Sequence, residues 1–353
     1  MADANTDNIT RRRFIGYGLG GAAFGGLAIA GGYAVSKSRD GAAASRESDV
    51  PESYRYDVSR LLEVDPALLR YEQTEVLGDS FRLARDFAVG PEQTYLVAMD
   101  DALLVLSPAG KVRKMVQLDA DPQCVGVDAD GRIYLGMVDH VQVFAADYSR
   151  LAAWPKIDGS PHLTSIACLG GEVFVADAGN RVVRHYMRDG DFVGVIGQRD
   201  LDAGEAGFVL PSPYFDVAVD PRDRLWVANP GRHRLERRRR DGQVEEVWGI
   251  ATMAIEGFCG CCNPSHFAIL PDGRFVTCEK GLPRVKLYSP EGRFEGVVAE
   301  PDAFVSEIAA GWQKTAEDRT SAPICGLLPD DRIAVLYPPT GQLKLFSPRS
   351  SHA

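Results

Sequence analysis

The sequence predicts an all-β protein: a six-bladed β-propeller of four-stranded antiparallel blades, preceded by an N-terminal signal or anchor segment. Two observations support this prediction. A short apolar pattern recurs six times at spacings of 38 to 58 residues, the period of propeller blades or of a solenoid. Each repeat holds short β-type runs separated by turn residues, and helical periodicity is weak and confined to residues 57–70 and 304–315.

The six repeats share an apolar or β-branched centre that follows a polar turn. The centres are Tyr95 to Val97, Ile133 to Leu135, Val173 to Val175, Leu225 to Val227, Phe275 to Thr277 and Ile333 to Val335.

The elements within one repeat are predicted to be four antiparallel strands. Residues 267–270 and 275–277 flank an Asp-Gly turn, which is a strong hairpin signal between apolar runs. A third strand at 284–288 and a fourth at 294–298 complete a propeller blade. Residues 72–78 are expected to close the ring as the outer strand of the last blade.

One repeat carries a recognisable set of motif residues. They are Gly197-Gln198, Gly204, Gly207-Phe208, Pro211, Phe215 to Asp220, Leu225 to Asn229 and Arg232 to Leu235. On these residues the chain resembles the NHL-repeat propellers, over about residues 75–348. The resemblance implies the six-bladed fold, whereas propellers host many unrelated activities. The expected organisation is a signal or anchor with linker at 1–45, an extension at 46–71 and the propeller at 72–348.

The N-terminal segment has the layout of an export signal. Residues 10–15 read Thr-Arg-Arg-Arg-Phe-Ile, and an apolar stretch rich in glycine and alanine follows at about 17–35. On these residues the segment resembles a twin-arginine signal, which implies a periplasmic or other extracytoplasmic location. The alternative is a membrane-spanning helix that tethers the chain. Residues 42–44, Ala-Ala-Ala, would permit cleavage before Ser45.

The amino-acid composition limits the kinds of partner that the chain can bind. The formal net charge is −10, which argues against nonspecific binding of nucleic acid, because such binding needs a basic surface. We therefore expect an envelope protein or a small molecule as the partner. The motifs of serine hydrolases, phosphate-binding loops and His-Glu-x-x-His metalloproteases are absent from the sequence. Whether the chain is an enzyme stays open.

Seven cysteines make the chain unusual for a repeat of this type. They are Cys124, Cys168, Cys259, Cys261, Cys262, Cys278 and Cys325. An odd number leaves at least one thiol outside any intramolecular disulfide. The start of the first strand of a hairpin lies beside the end of the second. We therefore expect Cys259, Cys261, Cys262, His266 and Cys278 to gather on one face of the ring.

Alignment of the repeats adds a ring of residues at the mouth of the central channel. The first positions of the inner strands are Asp86, Cys124, Thr164, Asp216, His266 and Ile324, and Cys325 stands one step further along. Thiolate and imidazole ligands suit zinc, copper or an iron–sulfur cluster. The predicted metal ligands are Cys259, Cys261, Cys262, His266, Cys278 and Cys124, with Asp86, Asp216 and Cys325 at the channel mouth.

Disulfides are the main alternative to a metal site, because exported cysteines are often paired. Cys261 or Cys262 could bridge to Cys278, and Cys259 to Cys325 or Cys124. Cys168 is expected to be a buried, inert thiol.

Three functions remain compatible with these observations. The first is an exported binding or redox-accessory propeller with a cysteine-rich face that binds metal or a partner. The second is a metal-dependent lyase or hydrolase at the channel mouth, as the resemblance to amidating lyases with NHL-type propellers implies. Histidines dominate the metal shell of those lyases, whereas here only His266 holds a ring position. The third is a structural interaction propeller stabilised by disulfides.

Overall fold

A computed structural model describes residues 62–78, 81, 84–304 and 322–350 of the chain. Within these residues, 24 strands form six four-stranded sheets whose neighbouring strands are all antiparallel. The predicted six-bladed β-propeller is thus confirmed. No helix among the described residues has the length and hydrophobicity to cross a membrane. The segment predicted to be an export signal lies outside them.

Five blades are continuous in sequence and run from an inner strand at the axis to an outer strand at the rim. The first two are β2 (Asp86–Val89), β3 (Tyr95–Met99), β4 (Ala102–Leu106), β5 (Val112–Gln117) and β6 (Cys124–Val127), β7 (Ile133–Gly136), β8 (Val141–Phe144), β9 (Arg150–Ala153). The third and fourth are β10 (Leu163–Leu169), β11 (Glu172–Asp177), β12 (Val182–Met187), β13 (Phe192–Ile196) and β14 (Val217–Val219), β15 (Leu225–Asn229), β16 (Arg234–Arg238), β17 (Val244–Trp248). The fifth is β18 (His266–Ile269), β19 (Phe275–Glu279), β20 (Arg284–Tyr288), β21 (Phe294–Ala299).

The sixth blade closes the ring with strands from both ends of the propeller. It comprises β22 (Ile324–Leu327), β23 (Ile333–Tyr337), β24 (Gln342–Pro348) and, at its outer edge, β1 (Tyr71–Gly78). The register pairs Tyr71 with Pro348 and Gly78 with Leu343. The inner strands of successive blades contact one another in a closed cycle, with β22 returning to β2. This is the closure that the sequence predicted for residues 72–78.

The sequence explains why each blade forms. The six predicted centres are the second strands of the six blades, and their side chains are almost entirely buried between neighbouring sheets. In the second, fourth and fifth blades an aspartate fixes the turn that precedes this strand. Asp220 accepts hydrogen bonds from the amides of Arg222 and Arg224 at 2.9 and 3.0 Å, and from the indole of Trp226 at 3.0 Å. Such side-chain acceptors satisfy turn amides that no strand partner reaches. Of the weakly helical segment 57–70, the described part contains a 3-10 turn, Pro66–Leu68.

The antiparallel order of each blade gives the ring two distinct faces. We call the side where the inner strands begin the top face. It carries the connections between blades and the turns between second and third strands. The opposite, bottom face carries the turns between first and second strands. All candidate residues except Cys168 lie toward the top face.

Candidate functional site

Polar residues at or next to the first positions of the inner strands join neighbouring blades. Asp86 Oδ2 accepts a hydrogen bond from the amide of Val125 in the next blade at 2.9 Å. Asp216 Oδ2 accepts from the amide of Phe267, also in the next blade, at 2.8 Å. Both carboxylates are buried. These side chains satisfy inner-strand amides that would otherwise lack a partner, so their position in the ring has a structural cause.

Thr164 fills the same position in the third blade and plays the same part. Its hydroxyl donates a 2.6 Å hydrogen bond to the carbonyl of Phe215 in the fourth blade. Three of the six ring positions thus hold a hydrogen bond to the backbone of the next blade.

His266 forms an ion pair with Asp216 at the channel mouth. Its Nδ1 donates to Asp216 Oδ2 at 3.2 Å, and its side chain is 17% exposed. Burial acts to lower the pKa of His266, but the charges of Asp216 and Asp86 outweigh it and raise the pKa to about 9. At neutral pH the ring is therefore an imidazolium, which has no lone pair for a metal.

Asp86 lies in the same electrostatic environment. Burial raises the pKa of Asp86 to about 7, and the positive charge of His266 opposes that rise. The group at the mouth is therefore a coupled set in which one cation lies near two buried carboxyls. In this set the imidazolium of His266 offsets part of the negative charge of the two carboxyls.

Two thiols near the mouth, Cys124 and Cys278, are buried. Burial and the nearby charge of Asp86 raise the pKa of Cys124 well above its usual value. The Cys124 sulfur lies so close to Gly136 that a Cβ there would approach it to 2.4 Å. In the fifth blade, Cys278 is paired in register with His266. Burial raises its pKa, and a hydrogen bond with Cys325 adds to the rise.

The connection between β17 and β18, residues 249–265, carries Cys259, Cys261 and Cys262; we call it the thiol loop. An aromatic anchor fixes its middle. Phe258 is buried, with its ring centroid 5.6 Å from that of Tyr288 and 6.1 Å from that of Trp248. Its amide donates to the carbonyl of Ile250 at 2.8 Å. The thiol loop is therefore packed on the fifth blade rather than projecting from it.

A buried charge cluster lies beneath the thiol loop. Glu279 Oε2 accepts from Arg284 Nε at 2.8 Å, and Glu279 Oε1 lies 3.2 Å from Lys286 Nζ. Lys286 Nζ also donates to the loop carbonyls of Ile255 and Gly257, at 3.0 and 2.5 Å. Burial lowers the pKa of Lys286 to about 8, against the opposing effect of Glu279. The cluster thus holds the loop down through a buried ammonium.

Cys259 belongs to this interior cluster. Its sulfur is 4.0 Å from Arg284 Nη2. Burial raises the pKa of its thiol, the charge of Glu279 adds to the rise, and Arg284 opposes it. Cys259 is therefore an internal thiol, separated in environment from its two neighbours in sequence.

Asn263 anchors the last part of the thiol loop. Its Nδ2 donates to the carbonyls of Cys259 at 2.7 Å and Lys280 at 2.9 Å, and its Oδ1 accepts from the amide of Lys280 at 2.7 Å. The side chain is buried, so these three bonds replace hydration completely. They join the thiol loop to the turn that follows β19.

Cys261 and Cys262 form a pair of adjacent thiols at the surface of the top face. Their sulfur atoms are 3.1 Å apart, Cys261 is exposed and Cys262 is buried. The hydroxyl of Ser212 donates to Cys262 Sγ at 2.8 Å. Burial raises the pKa of Cys262, while Ser212 and the charge of Lys280 act against the rise. One thiol is thus open to reagents and the other lies directly behind it.

Three side chains and a backbone contact border this pair. Lys280 Nζ lies 4.8 Å from the centroid of the Tyr214 ring. Burial raises the pKa of Tyr214 to about 12, and the nearby Cys262 contributes. His233 Nε2 contacts the carbonyl of Gly260. Sequence patterns pointed to Lys280, in the turn after β19, but not to Ser212 or Tyr214, which the fold brings to the pair from the connection between β13 and β14.

The predicted site residues therefore occupy three environments. Those at the mouth are Asp86, Cys124, Asp216, His266, Cys278 and Cys325; Cys259 lies in the buried charge cluster; Cys261 and Cys262 lie at the surface. Among the described residues, no three His, Cys, Asp or Glu side chains are arranged to hold a metal ion.

The disulfide alternatives differ from the observed neighbours. Cys278 contacts Cys325 rather than Cys261 or Cys262, and all seven cysteines are free thiols in the structure. Cys168 was expected to be buried but is partly exposed. It lines a 590 Å³ cavity at the bottom face, and burial raises its pKa to about 12.

Solved structures similar to this chain are propellers. A gluconolactonase from Xanthomonas campestris aligns with a TM-score of 0.56 at 15% identity, over 82% of this chain and 96% of the other. A protein of unknown function from Bacteroides thetaiotaomicron aligns with a TM-score of 0.54 at 12% identity, over 78% and 73%. Virginiamycin B lyase from Staphylococcus aureus aligns with a TM-score of 0.49 at 11% identity, over 74% and 79%.

These likenesses concern the fold alone, since all are below 25% identity. No family model and no curated protein matches the chain. The function must therefore be argued from the side chains.

Proposed function

We propose that this chain is an exported thiol–disulfide exchange module whose working pair is Cys261 and Cys262. The observation that supports it is the 3.1 Å separation of their sulfur atoms, with one thiol exposed and the other held by Ser212. An exposed thiol with a second thiol in reach is the arrangement that such exchange requires. The partner is a disulfide in an envelope protein or in a small molecule.

The two thiols have different roles in the reaction. Cys261 loses its proton to solvent, and its thiolate attacks one sulfur of the partner disulfide, which forms a mixed disulfide and releases a partner thiolate. Cys262 then loses its proton and attacks the Cys261 sulfur, which releases the second partner thiolate. Two electrons pass to the partner, and both of its thiolates take up protons from solvent. The chain is left with a Cys261–Cys262 disulfide.

Adjacency in sequence favours a reversible role for this pair. Neighbouring Cα atoms are about 3.8 Å apart, whereas disulfides normally span about 4.4–6.8 Å between Cα atoms. The oxidised pair is therefore strained, and strained disulfides are the readily reduced ones. A disulfide that only stabilises the fold would be expected to resist reduction.

Contacts on both sides of Cys261 and Cys262 fix the backbone of the thiol loop. Asn263, Phe258 and Lys286 fix the backbone on both sides of the pair. Attack by Cys262 on Cys261 consequently needs a movement of about 1 Å between the sulfurs, from 3.1 Å to the bonded distance of about 2.05 Å.

A metal-dependent lyase at the channel mouth is less favoured. His266 is held as a cation by Asp216, and the carboxylates of Asp86 and Asp216 accept hydrogen bonds from backbone amides. No step of the proposed exchange passes through these groups.

Trapping of the mixed disulfide tests the proposal. The reduced full chain is exposed to oxidised glutathione, and its peptides are identified by mass spectrometry. The wild type should lose two hydrogens from the peptide that contains Cys261 and Cys262. Cys262→Ser should accumulate a mixed disulfide at Cys261, because the resolving thiol is missing. Cys168→Ser serves as the control and should behave like the wild type.

Two results would contradict the proposal. One is a rate of reaction at Cys261 no greater than that at the half-buried Cys168. The other is an oxidised chain in which Cys261 is linked to a cysteine other than Cys262.

Export is tested separately. Replacement of both Arg11 and Arg12 by Lys should retain the chain in the cytoplasm of a bacterial host, as cell fractionation would show. Unchanged export of this variant would refute the twin-arginine assignment while leaving the thiol chemistry untouched.

A further inference from the structure

A second concave site lies on the top face between the third and fourth blades. It is a 420 Å³ cavity, within the range of about 300–1,000 Å³ typical of small-molecule sites. The turn after β11, the connection between β13 and β14, and the turn after β15 form its walls. We call it the arginine cavity because three arginines line it: Arg181, Arg199 and Arg232.

These three arginines differ from others nearby in forming no direct ion pair. Within the part of the chain that the structure describes, none of them forms an ion pair or a side-chain hydrogen bond. By contrast, Arg184 pairs with Asp177 at 2.8 Å, and Arg238 pairs with Glu205 at 2.7 Å. Three unpaired guanidinium groups at one cavity are unexpected in a chain with a net charge of −10.

The carboxylates close to the arginine cavity are already engaged. Glu205 is bound by Arg238 and accepts the amide of Gly207 at 2.8 Å. Asp200 Oδ1 accepts the amides of Asp202 and Ala203, both at 3.1 Å. No carboxylate is among the residues that line the cavity. Its walls therefore carry three guanidinium groups and no carboxylate, although the charge of Arg232 helps to lower the pKa of nearby Glu205.

The backbone around the cavity is fixed in advance of any ligand. The amide of Gly231 donates to the carbonyl of Val209 at 2.9 Å, and the amide of Val209 donates to Asn229 Oδ1 at 3.0 Å. A Cβ at Gly231 would lie 2.5 Å from the Val209 carbonyl oxygen, so this close approach requires glycine. The turn that carries Arg232 is thus locked to the opposite wall.

Apolar surface lies beside the positive charges. Leu201 and Val209 line the cavity with 64% and 39% of their surface exposed. Phe208 also lines the cavity. Its ring makes a cation–π contact with Arg238, whose guanidinium carbon is 4.6 Å from the ring centroid. A ligand with an apolar part and several anionic oxygens would contact both kinds of surface.

We propose that the arginine cavity binds a small molecule that carries two or more phosphate or carboxylate groups. The planar guanidinium fork matches both groups with paired hydrogen bonds. Three forks around one cavity would hold at least two anionic groups at once. This proposal does not depend on the thiol pair, so it can hold whether or not the exchange reaction occurs.

Calorimetric titration of the full chain at low ionic strength tests this site, with pyrophosphate and citrate as probes. Wild type should bind at least one of them with a dissociation constant below 1 mM, on the scale of charge-paired small anions. Single replacements Arg181→Gln, Arg199→Gln and Arg232→Gln should each weaken binding by about fivefold or more. The triple variant should bind neither probe. Arg293→Gln, at a side chain that is 76% exposed on the fifth blade, should bind like the wild type.

The two probes separate the sources of the anionic group. Preference for pyrophosphate would assign a phosphorylated ligand, and preference for citrate would assign a carboxylated one. Affinity should fall as salt rises, because the contacts are charge pairs. Failure of both probes to bind at 5 mM would overturn the proposal, as would undiminished binding by the triple variant when circular dichroism shows that it is folded.

Discussion

Replacement of His266 by glutamine should change how the stability of the propeller depends on pH. The imidazolium is stabilised by Asp216 and Asp86, and its pKa in the folded chain is about 9. In the unfolded chain a histidine has a pKa of about 6.5. The difference between the folded and unfolded pKa values of His266 corresponds to a stabilisation of the folded chain of about 3 kcal/mol by proton linkage. Because the side chain is partly exposed, we expect about 2–3 kcal/mol.

The sign of the effect follows from the raised pKa. The folded chain binds the proton more tightly than the unfolded chain, so the stabilisation is fully present below pH 6.5. It is lost progressively as the pH rises to about 9 and beyond. Stability of the wild type relative to His266→Gln should therefore fall across this window.

Urea denaturation at pH 6, 7.5 and 9.5 measures this difference directly. His162→Gln is the matched control, because burial lowers the pKa of His162 instead of raising it. The difference between wild type and this control should not decrease between pH 6.5 and 9. Comparison of variants also cancels the titration of the cysteines, which all of them share.

Two measurements would refute this reasoning. The first is an NMR titration in which the His266 imidazole changes charge at or below pH 6.5. The second is a stability difference between wild type and His266→Gln that stays constant from pH 6.5 to 9.5. Either result would mean that the ion pair with Asp216 does not govern the protonation of His266.

Two further predictions concern the base of the thiol loop. Glu279→Gln leaves Lys286 and Arg284 buried without a counter-charge, and should lower the free energy of unfolding by about 3–5 kcal/mol in urea denaturation. The control Glu291→Gln breaks an exposed pair and should cost at most about 1 kcal/mol; equal losses would contradict the buried role. Asn263→Ala removes three buried hydrogen bonds, so it should lower the free energy of unfolding by about 2–3 kcal/mol. Because these bonds hold the loop beside the thiol pair, the same change should speed iodoacetamide labelling of Cys262. Unchanged labelling would show that the loop is held by other contacts.

The fold was predictable because its signals are local and repeated. Each blade carries an apolar second strand after a turn with Asp or Gly, so six similar signals indicated six similar sheets. The closing role of residues 72–78 followed from counting strands per blade rather than from their own composition. Their pairing with β24 in the structure agrees with that count.

The candidate site was predictable only in its outline. Alignment of the repeats placed Asp86, Asp216 and His266 together, because position in an inner strand determines position around the ring. It did not reveal that the two aspartates are already bound to amides of the next blade. Acceptance of a backbone hydrogen bond depends on the angle between blades, which spacing in the sequence does not encode.

Side-chain direction was the other missing information. Cys259 and Cys261 are two residues apart, yet one faces the buried charges and the other faces solvent. The pattern Arg284-x-Lys286 in a strand opposite Glu279 was a readable sign of a buried pair. A strand places alternate residues on one face, so both cations had to lie on the same side.

The register of β1 and β24 determines how the ring responds to mechanical tension. Tyr71 is paired with Pro348, so the two ends of the propeller leave the sixth blade at the same corner. A force applied between these ends would break the hydrogen bonds of that edge one after another, as a zipper opens, instead of loading them all together. In an optical trap, the first event should therefore be detachment of a single strand at low force, before any blade loses its hydrophobic contacts.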